Sequence, residues 1–184
     1  MKLIYCLMIF FCPYLAVGQT AKALTVGDRV PDIVFSHITN YKATTARLSD
    51  FKEKLVILDF WASWCTTCVK GFPHSDSLQK RFEDDLQIVL VNPKVSGDSL
   101  KQVTRVLKQV QKTTGMRLRI PVVLSDTIAS TYFTFHEIPH CVWIKNGRVL
   151  AISGGEAVTA ANVQAFLEGK FPCIPLKKDD PQYQ

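Results

Sequence analysis

Apolar residues recur along this chain in three rhythms, and each predicts a different element. Residues 55–60 and 86–91 are nearly unbroken apolar runs of strand length, suited to burial on both faces of a sheet. Leu100, Val103, Leu107 and Val110 recur at i, i+3, i+7 and i+10, with Lys101, Arg105, Lys108 and Lys112 on the other side, which is the pattern of an amphipathic helix. Residues 141–144 and 149–152 flank Asn146-Gly147, a strong short hairpin signal.

The remaining elements follow from their neighbours. Residues 65–82 read as a helix that Pro73 interrupts and kinks, and the strand–helix–strand unit over 55–91 predicts parallel neighbours. Residues 30–35 read as a short edge strand because Pro31 cannot donate to a central ladder. Residues 40–49 form a polar connection, and Leu48-Ser49-Asp50-Phe51 a turn. Residues 121–124 are an extended piece and 127–135 a short helix, and Thr159 caps a last helix that presents Val163, Phe166 and Leu167. The order β-α-β-α-β-β-α around one sheet makes this an α/β chain.

The first residues bear on location. Lys2 precedes a mostly apolar stretch over 3–17 and the small residues around Ala16-Val17-Gly18, the pattern of a cleaved secretory signal peptide over 1–18. The stretch falls short of the roughly 20 apolar residues that span a bilayer; an uncleaved anchor is the alternative. Neither Cys6 nor Cys12 has the small-residue setting of a lipid-attachment cysteine. Residues 24–173 then form one domain, and 174–184 a polar tail or the start of a linker. The expected location is periplasmic or otherwise extracytoplasmic. The formal net charge of +6 decides little, because the basic residues lack aromatic interleaving and read as a solvated helix face rather than a nucleic-acid surface.

Of six cysteines, Cys65, Cys68, Cys141 and Cys173 lie outside the signal segment, in a compartment where disulfides persist. Trp64-Cys65-Thr66-Thr67-Cys68 follows a buried strand and opens a helix. A thiol that begins a helix meets the partial positive charge of unpaired N–H groups, which favours thiolate, so Cys65 is the candidate nucleophile. Cys68, one turn further in, can attack a mixed disulfide formed on Cys65 and is the candidate resolving thiol. Half of a zinc site and a structural disulfide are the other readings of the motif. Zinc usually takes four ligands, and His37, His74, His136 and His140 are scattered.

The run Val56-Ile57-Leu58-Asp59-Phe60-Trp61-Ala62-Ser63-Trp64-Cys65-x-x-Cys68, with Ile138-Pro139 before the hairpin, resembles the thioredoxin superfamily. Gly27-Asp28-Arg29-Val30-Pro31-Asp32, Leu48-Ser49-Asp50-Phe51 and Phe72-Pro73 are similar to its exported TlpA/ResA-like branch, and the likeness covers residues 24–171. The resemblance implies a thioredoxin-like fold: a central mixed sheet flanked by helices, with an N-terminal strand extension and an inserted helix. It implies that Pro139 is cis and faces the dithiol, and that Asp59 is a buried acid behind Cys68 with a raised pKa. Trp64, Ile138, Thr66 and Thr67 would meet the substrate.

The activity implied is that of an extracytoplasmic thiol-disulfide oxidoreductase that reduces protein disulfides. Its partners would be a disulfide-containing protein substrate and a membrane or extracytoplasmic electron donor, with no nucleic acid, no metal and no organic cofactor. A disulfide oxidase or isomerase is the alternative on the same scaffold, and a non-catalytic metal- or partner-binding module the alternative of another class. Three departures from the branch stand out: Gly71 where many relatives carry glutamate, Thr66-Thr67 between the cysteines, and Cys141 two residues after Pro139. On an alternating strand Cys141 shares a face with Pro139, which would place a third thiol near the active site; the alternative, and the favoured reading, is a small buried hydrophobe. His140 could hydrogen-bond a partner or influence Cys65, but it and His74 read as exposed loop histidines.

Overall fold

The computed structural model of the protein describes residues 23–175; the signal-peptide reading, Cys6, Cys12 and most of the tail lie outside them. In chain order the elements are β1 (Val34–Ser36), β2 (Ile38–Thr39), β3 (Thr45–Arg47), β4 (Leu55–Phe60), α1 (Thr66–Arg81), β5 (Leu86–Pro93), α2 (Leu100–Thr114), β6 (Val122–Asp126), α3 (Ala129–Tyr132), β7 (His140–Lys145), β8 (Arg148–Ser153) and α4 (Ala160–Leu167). Six strands form one mixed sheet in the order β2-β6-β5-β4-β7-β8, with β4, β5 and β6 parallel and β2, β7 and β8 antiparallel to their neighbours. This is the mixed α/β thioredoxin-like architecture, with β1–β3 as the N-terminal extension and α2 as the inserted helix.

Alternation along β4 divides the core. Leu55, Ile57 and then Trp61 face the layer that holds Phe72 of α1, Val103 of α2 and Phe166 of α4. Val56, Leu58 and Phe60 face the opposite layer, with Phe35, Phe51 and Phe133. The three long helices thus share one face, while the N-terminal segment and α3 cover the other. Because β4 is a central strand buried along its whole length, its C-terminal end delivers the following loop to a fixed place at that end of the sheet.

Several expectations are corrected. Residues 40–49 contain β3, which pairs with β1 in a separate two-stranded sheet, so the edge strand expected over 30–35 is shorter and lies outside the main sheet. Helix α1 continues through Pro73; Phe72, edge-on to Trp61 with ring centroids 4.9 Å apart, packs that stretch to the core. The helix expected over 127–135 contracts to α3. Leu100 is 62% exposed and leaves the apolar stripe of α2, because it is the first residue after the Ser99 cap. His140 is 1% exposed, not a surface histidine: β7 begins one residue earlier than expected, and the ring stacks on Phe135 and meets Phe60 edge-on.

Candidate active site

Cys65 is the N-cap of α1, and its sulfur accepts a hydrogen bond from the Cys68 N–H at 3.2 Å. The two cysteines form a disulfide with Cα atoms 5.3 Å apart, and both are buried. The side chain at a helix cap faces the first unpaired N–H groups, so this position follows from where the helix begins. The Ile138–Pro139 peptide bond is cis, and the Ile138 carbonyl oxygen lies 3.9 Å from Cys65 Sγ. Gly155 packs on the Pro139 ring so closely that an added Cβ would come within 3.2 Å of it.

Behind the disulfide is a cleft of about 260 Å³ shared by Cys68, Thr67, Asp59, Pro139, His74 and Glu156. Gly71 also lines it, and nothing fills the space its side chain would take. His74 Nε2 and the Val158 carbonyl lie 2.9 Å apart, tying α1 to the segment that closes the cleft; His74 is exposed, but on a helix rather than a loop. Asp59 is 8% exposed, and burial pushes its pKa up to about 7, against the opposing effect of a hydrogen bond from the Cys141 thiol. That bond follows from strand register: Asp59 and Cys141 are directly paired residues of β4 and β7, with Cys141 Sγ 3.6 Å from Asp59 Oδ1. Replacing Cys141 with Val removes the donor at similar volume, so the Asp59 midpoint should rise by about one pH unit. Carboxyl carbon NMR through a pH titration reads this directly, and an unmoved midpoint would show that the thiol does not act on the acid.

The front of the site is exposed. Trp64 is 64% exposed, and its indole N–H donates to the Ser96 carbonyl at 3.2 Å. Thr66 and Thr67 are also exposed, while Ile138 is half-buried. The active-site loop is held from below by Asp98, which accepts from the Ser63 N–H at 2.7 Å, from the Ser63 hydroxyl, and from the Asn92 amide at 2.7 Å. Burial pushes the Asp98 pKa up, but the hydrogen bonds from Ser63, Asn92 and Ser96 outweigh it and hold the carboxyl below its ordinary value. Sequence reasoning missed this network, and no local pattern marks it. Glu156 was missed as well; its placement depends on how the segment after β8 folds over Pro139. Cys173 is exposed and Cys141 fully buried, and neither belongs to a disulfide. Among the described residues, no group of three or more His, Cys, Asp or Glu side chains could hold a metal ion.

A family model, Redoxin, matches residues 25–134. Thiol-disulfide oxidoreductase ResA of Oceanobacillus iheyensis is 36% identical over 154 residues, which cover 82% of this chain and 76% of that protein. The chain belongs to the redoxin family. Within it, the protein is a ResA/TlpA-like member of the thioredoxin superfamily and a thiol-disulfide oxidoreductase. Thioredoxin-like protein YneN of Bacillus subtilis is 38% identical over 90 residues, 49% of this chain and 51% of that protein. Among solved structures, the thioredoxin domain of a thiol-disulfide oxidoreductase from Bacteroides vulgatus is similar in fold, with a TM-score of 0.59 and 20% identity over 82% of this chain and 100% of that one. No helix among the described residues of this oxidoreductase is long and apolar enough to cross a membrane.

Proposed function

We propose that this oxidoreductase reduces disulfides of protein substrates outside the cytoplasm. The observation that carries the reading is the Cys65–Cys68 disulfide at the N-terminus of α1, with the Ile138 carbonyl against Cys65 and with Asp59 and Pro139 in the cleft that Cys68 shares. In the reduced protein, the Cys65 thiolate attacks one sulfur of the substrate disulfide. A Cys65–substrate disulfide forms, and the other substrate sulfur leaves as a thiolate that takes a proton from water. Cys68 then gives its proton to Asp59 and attacks Cys65 Sγ, releasing the second substrate thiolate and leaving Cys65–Cys68 oxidised. Two electrons pass to the substrate, and a separate extracytoplasmic or membrane donor must return two.

Each further residue has a role in this scheme. Hydrogen bonding from the Cys68 N–H suits a thiolate on Cys65. Asp59 near pH 7 can hold or release a proton at neutral pH. Pro139, lacking an N–H, offers no competing donor beside the thiolate. The backbone of Ile138 pairs with an extended segment of the substrate, and Trp64, Thr66 and Thr67 shape the surface that receives it. The N-terminal pattern over 1–18 supports export as a cleaved signal, with 24–173 as the working domain and 174–184 as a tail or linker.

A redox titration of Cys65–Cys68 in thiol buffers, read by alkylation mass shift, tests the direction. The expected potential is near or below about −270 mV, the range of a reductant; a value near about −120 mV would assign the opposite direction, disulfide formation.

A further inference from the structure

We infer that the rim beside Cys65 and the exposed face of α2 form one docking surface for an acidic polypeptide segment flanking the substrate disulfide. This rests on the oxidoreductase reading and extends it to the class of substrate. Three of the most exposed large apolar side chains are Trp64 on the active-site loop, Val95 at 82% on the stretch between β5 and α2, and Leu100 at the start of α2. These segments are fastened together by the Trp64–Ser96 bond and by Asp98, which joins Ser63 to Asn92. The apolar side chains are therefore presented on a fixed support at the edge of the dithiol.

A cationic stripe continues that platform. Lys101, Arg105, Lys108 and Lys112 fall at i, i+4, i+7 and i+11 of α2, all exposed, and they share one side of the helix. The helix contains no acidic residue, and among the described residues none of the four cations takes part in an ion pair. Like charges at i, i+4 weaken a helix, so helix stability does not account for the stripe. It runs about 16 Å from Lys101 to Lys112, which an extended acidic segment of about five residues spans. The exposed apolar groups beside the nucleophile, adjoining a row of cations without ion-pair partners among the described residues, fit a polypeptide that brings both a cystine and carboxylates.

Two cystine peptides that differ only in flanking Glu or Gln residues distinguish the outcomes. The reduced full-length protein should reduce the acidic peptide about tenfold more efficiently in kcat/KM at low salt, and the advantage should collapse in about 0.5 M salt. The variant K101Q/R105Q/K108Q/K112Q, which relieves repulsion within α2, should lose the preference while keeping the wild-type rate on the neutral peptide. Val95→Ser with Leu100→Ser should weaken both peptides alike. Fluorescence anisotropy with the same peptides carrying Ser in place of Cys reads docking without the chemistry, so a failure of the oxidoreductase reading is seen separately as no reduction despite binding. Equal binding of the two peptides, or a preference that survives the quadruple variant, would overturn the inference. So would tighter binding to vesicles of phosphatidylcholine and phosphatidylglycerol than to the acidic peptide, which would assign the stripe to a membrane surface.

Discussion

Cys68→Ser should convert the protein into a trap for its own substrates, whereas Cys65→Ser should reduce turnover to the uncatalysed background and trap nothing. Both sulfurs are buried in one disulfide, but their settings differ. Cys65 caps α1, receives the Cys68 N–H and lies against Ile138 at the exposed front, whereas Cys68 shares the rear cleft with Asp59. Attack therefore falls to the front sulfur and resolution to the rear one. A Cys68→Ser protein can complete the first displacement but not the second, so the Cys65–substrate disulfide should accumulate in near-stoichiometric yield. Nonreducing electrophoresis with mass mapping of the linked cysteine checks this. Trapping through Cys68 in the Cys65→Ser variant would reverse the roles.

Asp59→Asn should change both stability and rate, in opposite directions. Burial holds the Asp59 carboxyl protonated in the native protein up to about pH 7, while the unfolded chain releases that proton near the ordinary value of 3.8. Between those values the native state binds more protons than the unfolded state, so stability falls as pH rises. The contribution is fully present below about pH 4 and lost above about pH 7, a change on the order of 4 kcal/mol. The amide of the Asp59→Asn variant does not titrate, and its stability should be flat across that window and higher than wild type at pH 8. Denaturant unfolding of the oxidised protein at a series of pH values measures this. The same variant cannot accept the Cys68 proton, and resolution of the mixed disulfide at neutral pH should slow by about a hundredfold, recovering as the pH rises and Cys68 ionises unaided. A wild-type stability that does not decline from pH 4 to pH 7 would contradict the burial argument.

The parts of the fold legible in the sequence are those with a strong local signal. The apolar run of β4, the Asn146-Gly147 hairpin and the Thr159 cap of α4 each carry their own chemistry, and each is found where expected. Strands β1 and β3 are three residues each and pair across a polar connection, too short for a period to register. Pro73 marks a break on local grounds, and tertiary packing carries the helix through it. His140 shows the same limit: its burial depends on pairing with Phe60 across β4 and β7, which no stretch of adjacent residues reveals.

The site divides along the same line. Cys65 and Cys68 announce themselves by spacing, and Asp59 by being an acid within an apolar run. The bond from Cys141 to Asp59 requires the register of two strands 82 positions apart in the chain. The support that Asp98 gives to Ser63 crosses 35 positions. Glu156 enters the cleft with its carboxylate folded over Gly154, where an added Cβ would collide with it, and Gly155 lies against the Pro139 ring.

Single-turnover reaction of the reduced protein with a disulfide-bonded protein substrate tests the central claim most directly. Loss of the Cys65–Cys68 thiols and gain of substrate thiols should proceed together, two for two, through a transient Cys65-linked species. Substrate thiols that fail to appear while Cys65 and Cys68 stay reduced, or cysteines that never cycle, would contradict it and leave a binding module on a thioredoxin scaffold.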